Sequence, residues 1–563
     1  MTPAETLTAA PVPSTVEHRK RVRTSALLGL FCFVVYNANF RSISAGDTYP
    51  ARYLPFAIVQ SHTLFLDPVV KVAQQGRGKG AFWMWLRADG HTVSIYPVAV
   101  PVLVAPLYVP PVAYLHWRGA TNARFDSVAR LMEKLSASLI AALSVSLLYL
   151  LLRRRANASV ALLLVAAYAF GTTTWVISSQ ALWQHGIAAL LVIAALLLLT
   201  GQYTVWRAIA TGIFLGLLAA NRPPDVILAG ALGMYGLLFW GRRRWLWLMT
   251  GAALPAAALI GYNFAAAGNL LGGYGLIGKA RFFSHNLPEG IAGILVSPTR
   301  GLFTYSPFLL FVLLAWRYRP ATREDRALTL AMTMAVTLQI VLYAKADWRG
   351  GLSWGPRYMT DLLPFLLWML VPVVTALRGF GRIAFHGTVA VSIVIEVIGA
   401  FYYQPHYDSP IFAADDGWKR HDMRAVWHWR NAAFLTSPRE GLAPAELLSE
   451  ARGTIDAVEA GGRFTSVVTA GQQIVVHGWA LTGDRTPFQI ALSIDGGPSA
   501  SSTTFFDRTD VRETLGAPNP SGWRIPIDTT GMKPGEHLVT AFVWFSGKGE
   551  GHYLDDYMLI VSK

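Results

Sequence analysis

Charge is scarce in this chain: only 14% of its 563 residues are charged, against about a quarter in an average soluble protein. With 53% of residues hydrophobic, an ordinary water-soluble enzyme is excluded. Cysteine is nearly absent. Cys32 alone, inside the first apolar run, permits no intrachain disulfide and no cysteine metal site. Also missing are a Walker A sequence, a Gly-rich dinucleotide turn, a nucleophile elbow and any paired metal-ligand spacing. Gly268–Gly278 lacks a Lys-Ser/Thr end and reads as a flexible outer loop, so nucleotide hydrolysis is not indicated. No internal repeat at solenoid or propeller spacing occurs.

What the chain has is apolar length and a basic surplus. Ala181–Thr200 and Arg207–Trp240 are almost continuously apolar, and similar runs recur from Thr24–Phe40 to residues 384–402. A bilayer core of about 30 Å needs about 20 helical residues, so each run is a span or a bent part of one, about 12–13 transmembrane helices in all. Lysine and arginine outnumber acids 48 to 33, a net charge of +15. From Ile455 to Lys563 there are 8 basic and 12 acidic residues, so the surplus lies in the apolar part, in short clusters beside the spans. That pattern speaks for membrane lipid as partner and against nucleic acid.

The clusters assign sides. His18–Arg23 precede the first span, which keeps the N-terminus cytoplasmic, and Arg153–Arg155, Arg242–Arg244, Arg317–Arg319 and Arg378–Arg382 fall on the same side. A signal peptide cut near Ser44–Ala45 is the alternative for the first run. Counting outward leaves residues 1–23 as a cytoplasmic tail and 24–402 as the membrane domain, with outer loops at 41–93, 266–304 and 345–360. One parity conflict remains, because simple alternation would put Arg153–Arg155 outside. The proline-rich run 94–116, bent or re-entrant, is its expected source. Residues 403–460 read as a membrane-surface linker, and 461–563 as an extracytoplasmic β-sandwich of six short strands with turn signals such as Asp495-Gly496-Gly497 and Pro534-Gly535.

Chemistry is expected where ionisable residues meet outer span ends. Asp47, in Gly46-Asp47-Thr48-Tyr49-Pro50-Ala51-Arg52, follows the first span, where an acid can take a proton from an incoming hydroxyl or amine while the other reactant stays in lipid. Arg52 can pair a phosphate or the acid itself; Asp67 reads as a turn residue before proline. Lys279, Arg300 in Ser297–Pro307 and Arg357 in Trp348–Tyr358 are outer cations placed against the positive-inside bias, which favours an anionic ligand such as a phosphate. Trp348, Trp354 and Tyr358 beside them suit sugar faces or lipid headgroups. Arg222 reads as paired to Asp225 in a tight helix connection, and Gln184-His185 as a helix-packing pair.

The acid after the first span, the chain of apolar spans, the blocks SPTRGLFTYSP and WRGGLSWGPRY and the connection Asn221–Pro223 resemble bacterial GT-C superfamily membrane glycosyltransferases. The similar branches are the polyprenyl-phosphate-sugar-dependent protein O-mannosyltransferases and lipid A aminoarabinose transferases, over about residues 20–400. The resemblance implies that Asp47 is the general base for inverting attack. It also implies that Arg300 and Arg357, with Arg52, Lys279 and Arg222, hold the donor phosphate. Where the lipid A branch has a Glu-Lys-Pro-Pro-like stretch, this chain has Gly90–Pro97, with His91 and Tyr96 as the replacements. The mannosyltransferase branch often pairs two acids, and here Asp47 stands by itself, which leaves any divalent metal open; no cofactor is otherwise implied. The implied reaction moves a sugar from a polyprenyl-phosphate carrier to a cell-envelope glycan or lipid at the outer face of a bacterial inner membrane. The alternatives are a lipid-linked glycan transporter or flippase and an O-antigen-type ligase or polymerase using a pyrophosphate-linked donor.

Overall fold

The computed structural model describes residues 15–69, 84–87, 89–118, 122–274, 285–318, 322–412, 422–439, 443, 451–482, 487–495, 497–515, 520–545 and 551–562. Its membrane part is built on helices α1 (Thr15–Asn37), α2 (Tyr49–Ser61), α3 (Asn122–Leu152), α4 (Ala158–Phe170), α5 (Gln184–Leu199), α6 (Val205–Asn221), α7 (Val226–Trp240), α8 (Arg242–Ala267), α9 (Arg323–Lys345), α10 (Leu363–Ala376) and α11 (Gly379–Tyr402). Among the described residues seven helical stretches are long and apolar enough to cross a membrane, and five further apolar helices run 10–17 residues. The chain is a multi-pass helical membrane protein.

α1 and α3 lie antiparallel. Ser25 Oγ donates to the Ser146 carbonyl at 2.8 Å and Ser146 Oγ to that of Ser25 at 3.0 Å. At one end Arg153 meets Glu17 at 3.4 Å; at the other Lys134 Nζ reaches the Tyr36 carbonyl at 2.7 Å. The chain therefore leaves α1 and enters α3 on the same side, and residues 38–121 make no net crossing. That removes the parity conflict. Prolines break the run after Val98 into Ala99–Val104, a 3₁₀ turn at Ala105–Tyr108, and Val109–Arg118.

Elsewhere small residues let helix backbones touch. A Cβ on Gly212 of α6 would fall 1.9 Å from the Leu248 carbonyl oxygen of α8, and one on Gly251 would fall 2.1 Å from that of Ile209. Arginine clusters gather at one end of the bundle: Arg155 pairs with Asp325 at 2.8 Å, and Arg154 donates to the Leu197 carbonyl at 2.6 Å. The polar residues described below occupy the opposite end.

Among the described residues the tail forms two five-stranded sheets. Their strands are β1 (Arg452–Ala460), β2 (Arg463–Phe464), β3 (Val467–Thr469), β4 (Gln473–Leu481), β5 (Pro487–Ile494), β6 (Gly497–Ser502), β7 (Phe506–Asp507), β8 (Ser521–Asp528), β9 (Gly535–Phe545) and β10 (Gly551–Ser562), in orders β2-β1-β4-β8-β7 and β3-β10-β9-β5-β6. Ile474, Val476, Trp523, Ile525 and Ile527 from one sheet pack on Ile490, Leu492, Val539, Ala541 and Val543 from the other. This is the expected sandwich, with two corrections: it has ten strands among the described residues where six were expected, and β1 lies inside the segment assigned to the linker, so the sandwich begins at Arg452, not at 461. A bulge between Ile455 and Ala457 interrupts the alternation that marks a strand. The rest of the linker, where described, holds short helical turns such as Pro405–Ile411 and Arg424–Trp427.

Candidate functional site

Asp47 sits in a tight turn closed by the Thr48 amide on the Ala45 carbonyl at 2.8 Å, and α2 starts immediately after, with proline in its first turn. The turn presents the carboxylate to two donors. Tyr96 OH donates to Oδ1 at 2.7 Å, and Arg357 Nη1 lies 2.7 Å from Oδ2. The Asp47 side chain keeps 29% exposure while that of Arg357 keeps 10%, so the acid is reachable and its partner is nearly enclosed.

Tyr96 follows a short antiparallel pair, Met84–Leu86 with Thr92–Ser94. Ser94 fixes it locally: its Oγ donates to the Tyr96 carbonyl at 2.8 Å and accepts from the Tyr96 amide at 3.0 Å. Burial raises the Tyr96 phenol above its ordinary range, and the Asp47 charge raises it further. It remains a neutral donor. Tyr274 meets its ring edge-on at 6.0 Å.

Arg357 is held face-on to Trp183, with its guanidinium carbon 4.7 Å from the ring centre, and to Tyr358 at 5.2 Å. Its Nε is buried and, among the described residues, has no hydrogen-bond partner. Arg357 also lines a cleft with Arg300, Trp348, Arg349, Gly350 and Tyr358. Tyr96, the other partner of Asp47, lines a second, mostly apolar cleft with Tyr274, Pro223, Leu259, Tyr262 and Leu271. The acid stands between the two.

A second polar group adjoins through Tyr358, which stacks on Tyr343 at 4.6 Å. Arg222 lies beneath both rings, 5.4 Å from Tyr343 and 5.7 Å from Tyr358. It is paired to Asp361 and lies 3.2 Å from His185 Nδ1, while His185 and Asp361 are 2.9 Å apart. Asp225 is 4.0 Å from Arg222 and accepts from Gln339 Nε2 at 3.0 Å. Arg222 thus pairs mainly with Asp361, where the sequence pointed to Asp225, and His185 joins an ion network where a packing pair was expected.

Other candidates lie elsewhere. Arg300 is buried and its donors are taken: Nε by the Arg349 carbonyl, Nη1 by the Thr299 carbonyl at 3.0 Å and Asp408 at 3.2 Å, Nη2 by the Gly351 carbonyl at 3.0 Å and Asp408 at 3.1 Å. Gly350 and Gly351, at φ 74° and 69°, turn the backbone that supplies those carbonyls. Arg300 shapes the loop bearing Arg357 and has little left for a phosphate. Arg52 faces α3, with Nε 2.7 Å from buried Glu133. Removing one partner of such a pair strands a buried charge, so Arg52→Ala is expected to destabilise the protein by about 3–5 kcal/mol, seen as a lowered thermal midpoint in detergent. His91 stacks on Phe65 at 4.2 Å and pairs with Asp67 at 2.7 Å. Trp354 is buried between Tyr305 and Tyr403, at 5.2 and 5.1 Å, and Trp348 is buried 6.4 Å from Trp427. Lys279 lies outside the described residues.

Sequence reasoning passed over Trp183, Tyr274, Asp361 and the buried Glu133, Lys134 and Glu396. The available signal was an ionisable residue inside an apolar helical run. Among the described residues no three His, Cys, Asp or Glu side chains converge as a metal site.

No family model matches this sequence, and no curated protein matches it. Solved structures do. The chain is similar to the crystal structure of ArnT from Cupriavidus metallidurans in the apo state, at 13% identity over 74% of this chain and 76% of that one, with a TM-score of 0.38. It is also similar to the archaeal oligosaccharyltransferase AglB from Archaeoglobus fulgidus in complex with an inhibitory peptide and a dolichol-phosphate. There the identity is 11% over 75% of this chain and 61% of that one, and the TM-score is 0.37.

Proposed function

We propose that the chain is an inverting GT-C-type glycosyltransferase that takes a sugar from a polyprenyl-phosphate carrier. One observation carries the reading: an accessible acid, Asp47, is ion-paired to a nearly enclosed arginine, Arg357, which also lines a cleft with Arg300, Trp348 and Tyr358. Asp47 takes the proton of the acceptor hydroxyl as its oxygen bonds to the anomeric carbon. The bond from that carbon to the phosphate oxygen breaks, and the departing phosphate keeps the electron pair. Arg357, and behind it Arg222, neutralise the charge that develops. The apolar cleft beside Tyr96 suits a lipid portion of a substrate, and the indole and phenol rings suit a sugar. The arginine clusters at the far end of the bundle support an outer-face position for this site by the positive-inside bias, with the sandwich on the same side. The acceptor is then a cell-envelope glycan or lipid.

The full chain reconstituted in lipid, supplied with sugar on a polyprenyl monophosphate or on a polyprenyl pyrophosphate, is expected to transfer from the monophosphate. Transfer from the pyrophosphate alone overturns the reading in favour of a ligase or polymerase, and transfer from neither overturns the enzyme. Mass spectrometry of co-purified lipid names the sugar.

A further inference from the structure

Asp47 rides on a short segment, Ser44–Tyr53, that α3 grips at two points. Glu133 Oε2 accepts from Ser44 Oγ at 2.9 Å and from Arg52 Nε at 2.7 Å, one contact on each side of Asp47. Two helical turns earlier on α3, Asp126 Oδ1 accepts from Tyr53 OH at 2.6 Å. A seven-residue spacing brings both acids to one face of the helix. The other oxygen of Asp126 is shared by Arg130 Nη2 at 2.9 Å and Arg452 Nη1 at 3.5 Å.

Arg452 is the first residue of β1 and so of the sandwich. The carboxylate of Asp126 is buried, and a single group therefore joins three parts of the molecule: α3, the segment carrying the acid, and the accessory domain. A domain merely tethered outside the membrane needs no such joint, and burying charged groups is costly unless they are paired.

We propose that the C-terminal sandwich is a positioning element for the Asp47 segment, acting through Arg452, Asp126 and Tyr53, with Arg52–Glu133 as the second anchor. Without the Arg452 charge, Asp126 is held by fewer partners and loosens its hold on Tyr53. Glu133 still anchors the segment, so the fold survives while Asp47 shifts. Misplacement by about 1 Å costs as much as 10²-fold in rate. The kinetic consequence rests on Asp47 being the base, whereas the mechanical one does not.

Full-length protein in nanodiscs, as wild type, Arg452→Ala, Arg452→Lys and Tyr53→Phe, is to be compared by hydrogen exchange and by kinetics. The segment reports through its own protected amides, such as Arg52 N on the Thr48 carbonyl at 3.0 Å. Arg452→Ala and Tyr53→Phe are expected to speed exchange over residues 44–54 and leave residues 134–152 unchanged. In Arg452→Ala, kcat is expected to fall about 10-fold with the donor KM within about twofold, and Arg452→Lys to restore most of both. Wild-type exchange over 44–54 in Arg452→Ala overturns the proposal whatever Tyr53→Phe does, as does equal loosening of 134–152, which marks general destabilisation. Asp47→Asn measured in parallel separates the two claims. If it keeps full transfer while Arg452→Ala still loosens 44–54, the assignment of the base fails and the brace stands.

Discussion

Replacing Asp47 by asparagine is expected to lower kcat for sugar transfer by about 10²–10⁴-fold with little change in the donor KM. The substitution keeps the shape of the side chain and removes its capacity to hold the acceptor's proton. It also removes the anionic partner of Arg357, which lies 2.7 Å away, so that guanidinium is then free to bind the donor phosphate at least as well in the ground state. A fall in kcat without a rise in KM therefore identifies a group that acts on the reacting proton and not on binding. Steady-state kinetics on folded, inserted protein check it, and wild-type kcat sinks the assignment. Tyr96 fixes the pH behaviour of the same pair. Its phenol is raised by burial and by the Asp47 charge. A group raised in the folded state contributes its stabilisation below its unfolded value and loses it as pH rises through the folded one. Tyr96 thus adds no alkaline limb to the rate below about pH 10.

The second large effect is expected at Arg357. Arg357→Ala is expected to cost about 10²–10³-fold in kcat, and Arg357→Lys to recover little of it. Lysine restores the positive charge but not the planar fork, which here spends Nη1 on Asp47 while its central carbon sits over the Trp183 ring. An ammonium has three donors but no planar fork to stack on the indole while donating on both sides. Binding of the phosphate product should weaken as well, because the leaving phosphate gains a negative charge as its bond to the sugar breaks and the guanidinium is no longer there to neutralise it. If Arg357→Lys retains the wild-type rate, bulk charge is enough and the fork geometry has no role.

The residues differ in how far local sequence announces them. Asp47 was legible because a carboxylate directly after an apolar run is unusual, and Arg357 because cations on the outer side work against a topological bias. Tyr96 was reached through a family resemblance, and its phenol does donate to Asp47. Arg300 and Arg52 carried the same outward signal as Arg357, and the structure gives them acceptors: Asp408 and backbone carbonyls for the first, Glu133 for the second. Nothing local distinguishes an arginine whose donors are consumed from one with a donor left over. Asp361 and Asp126 went unmarked, and His185 was read only as half of a packing pair, for the complementary reason: each gains its meaning from a partner on another helix or, for Asp126, on another domain.

The sequence by itself determined the solvent of this protein, the approximate number of apolar segments, the arginine-rich end and the β-rich tail. Hydropathy and strand alternation are local properties that sum over a window of neighbours, so they survive without coordinates. Only the tertiary structure decided that residues 38–121 return to the side they left, that the sandwich starts at Arg452, and that Asp47 faces Arg357 and Tyr96 while Arg52 turns to Glu133. Those outcomes are pairings between distant parts of the chain. They are set by which helix backbones approach closely enough to bury a charge, and a buried charge takes the partner that packing brings within about 3 Å, not the one nearest in sequence.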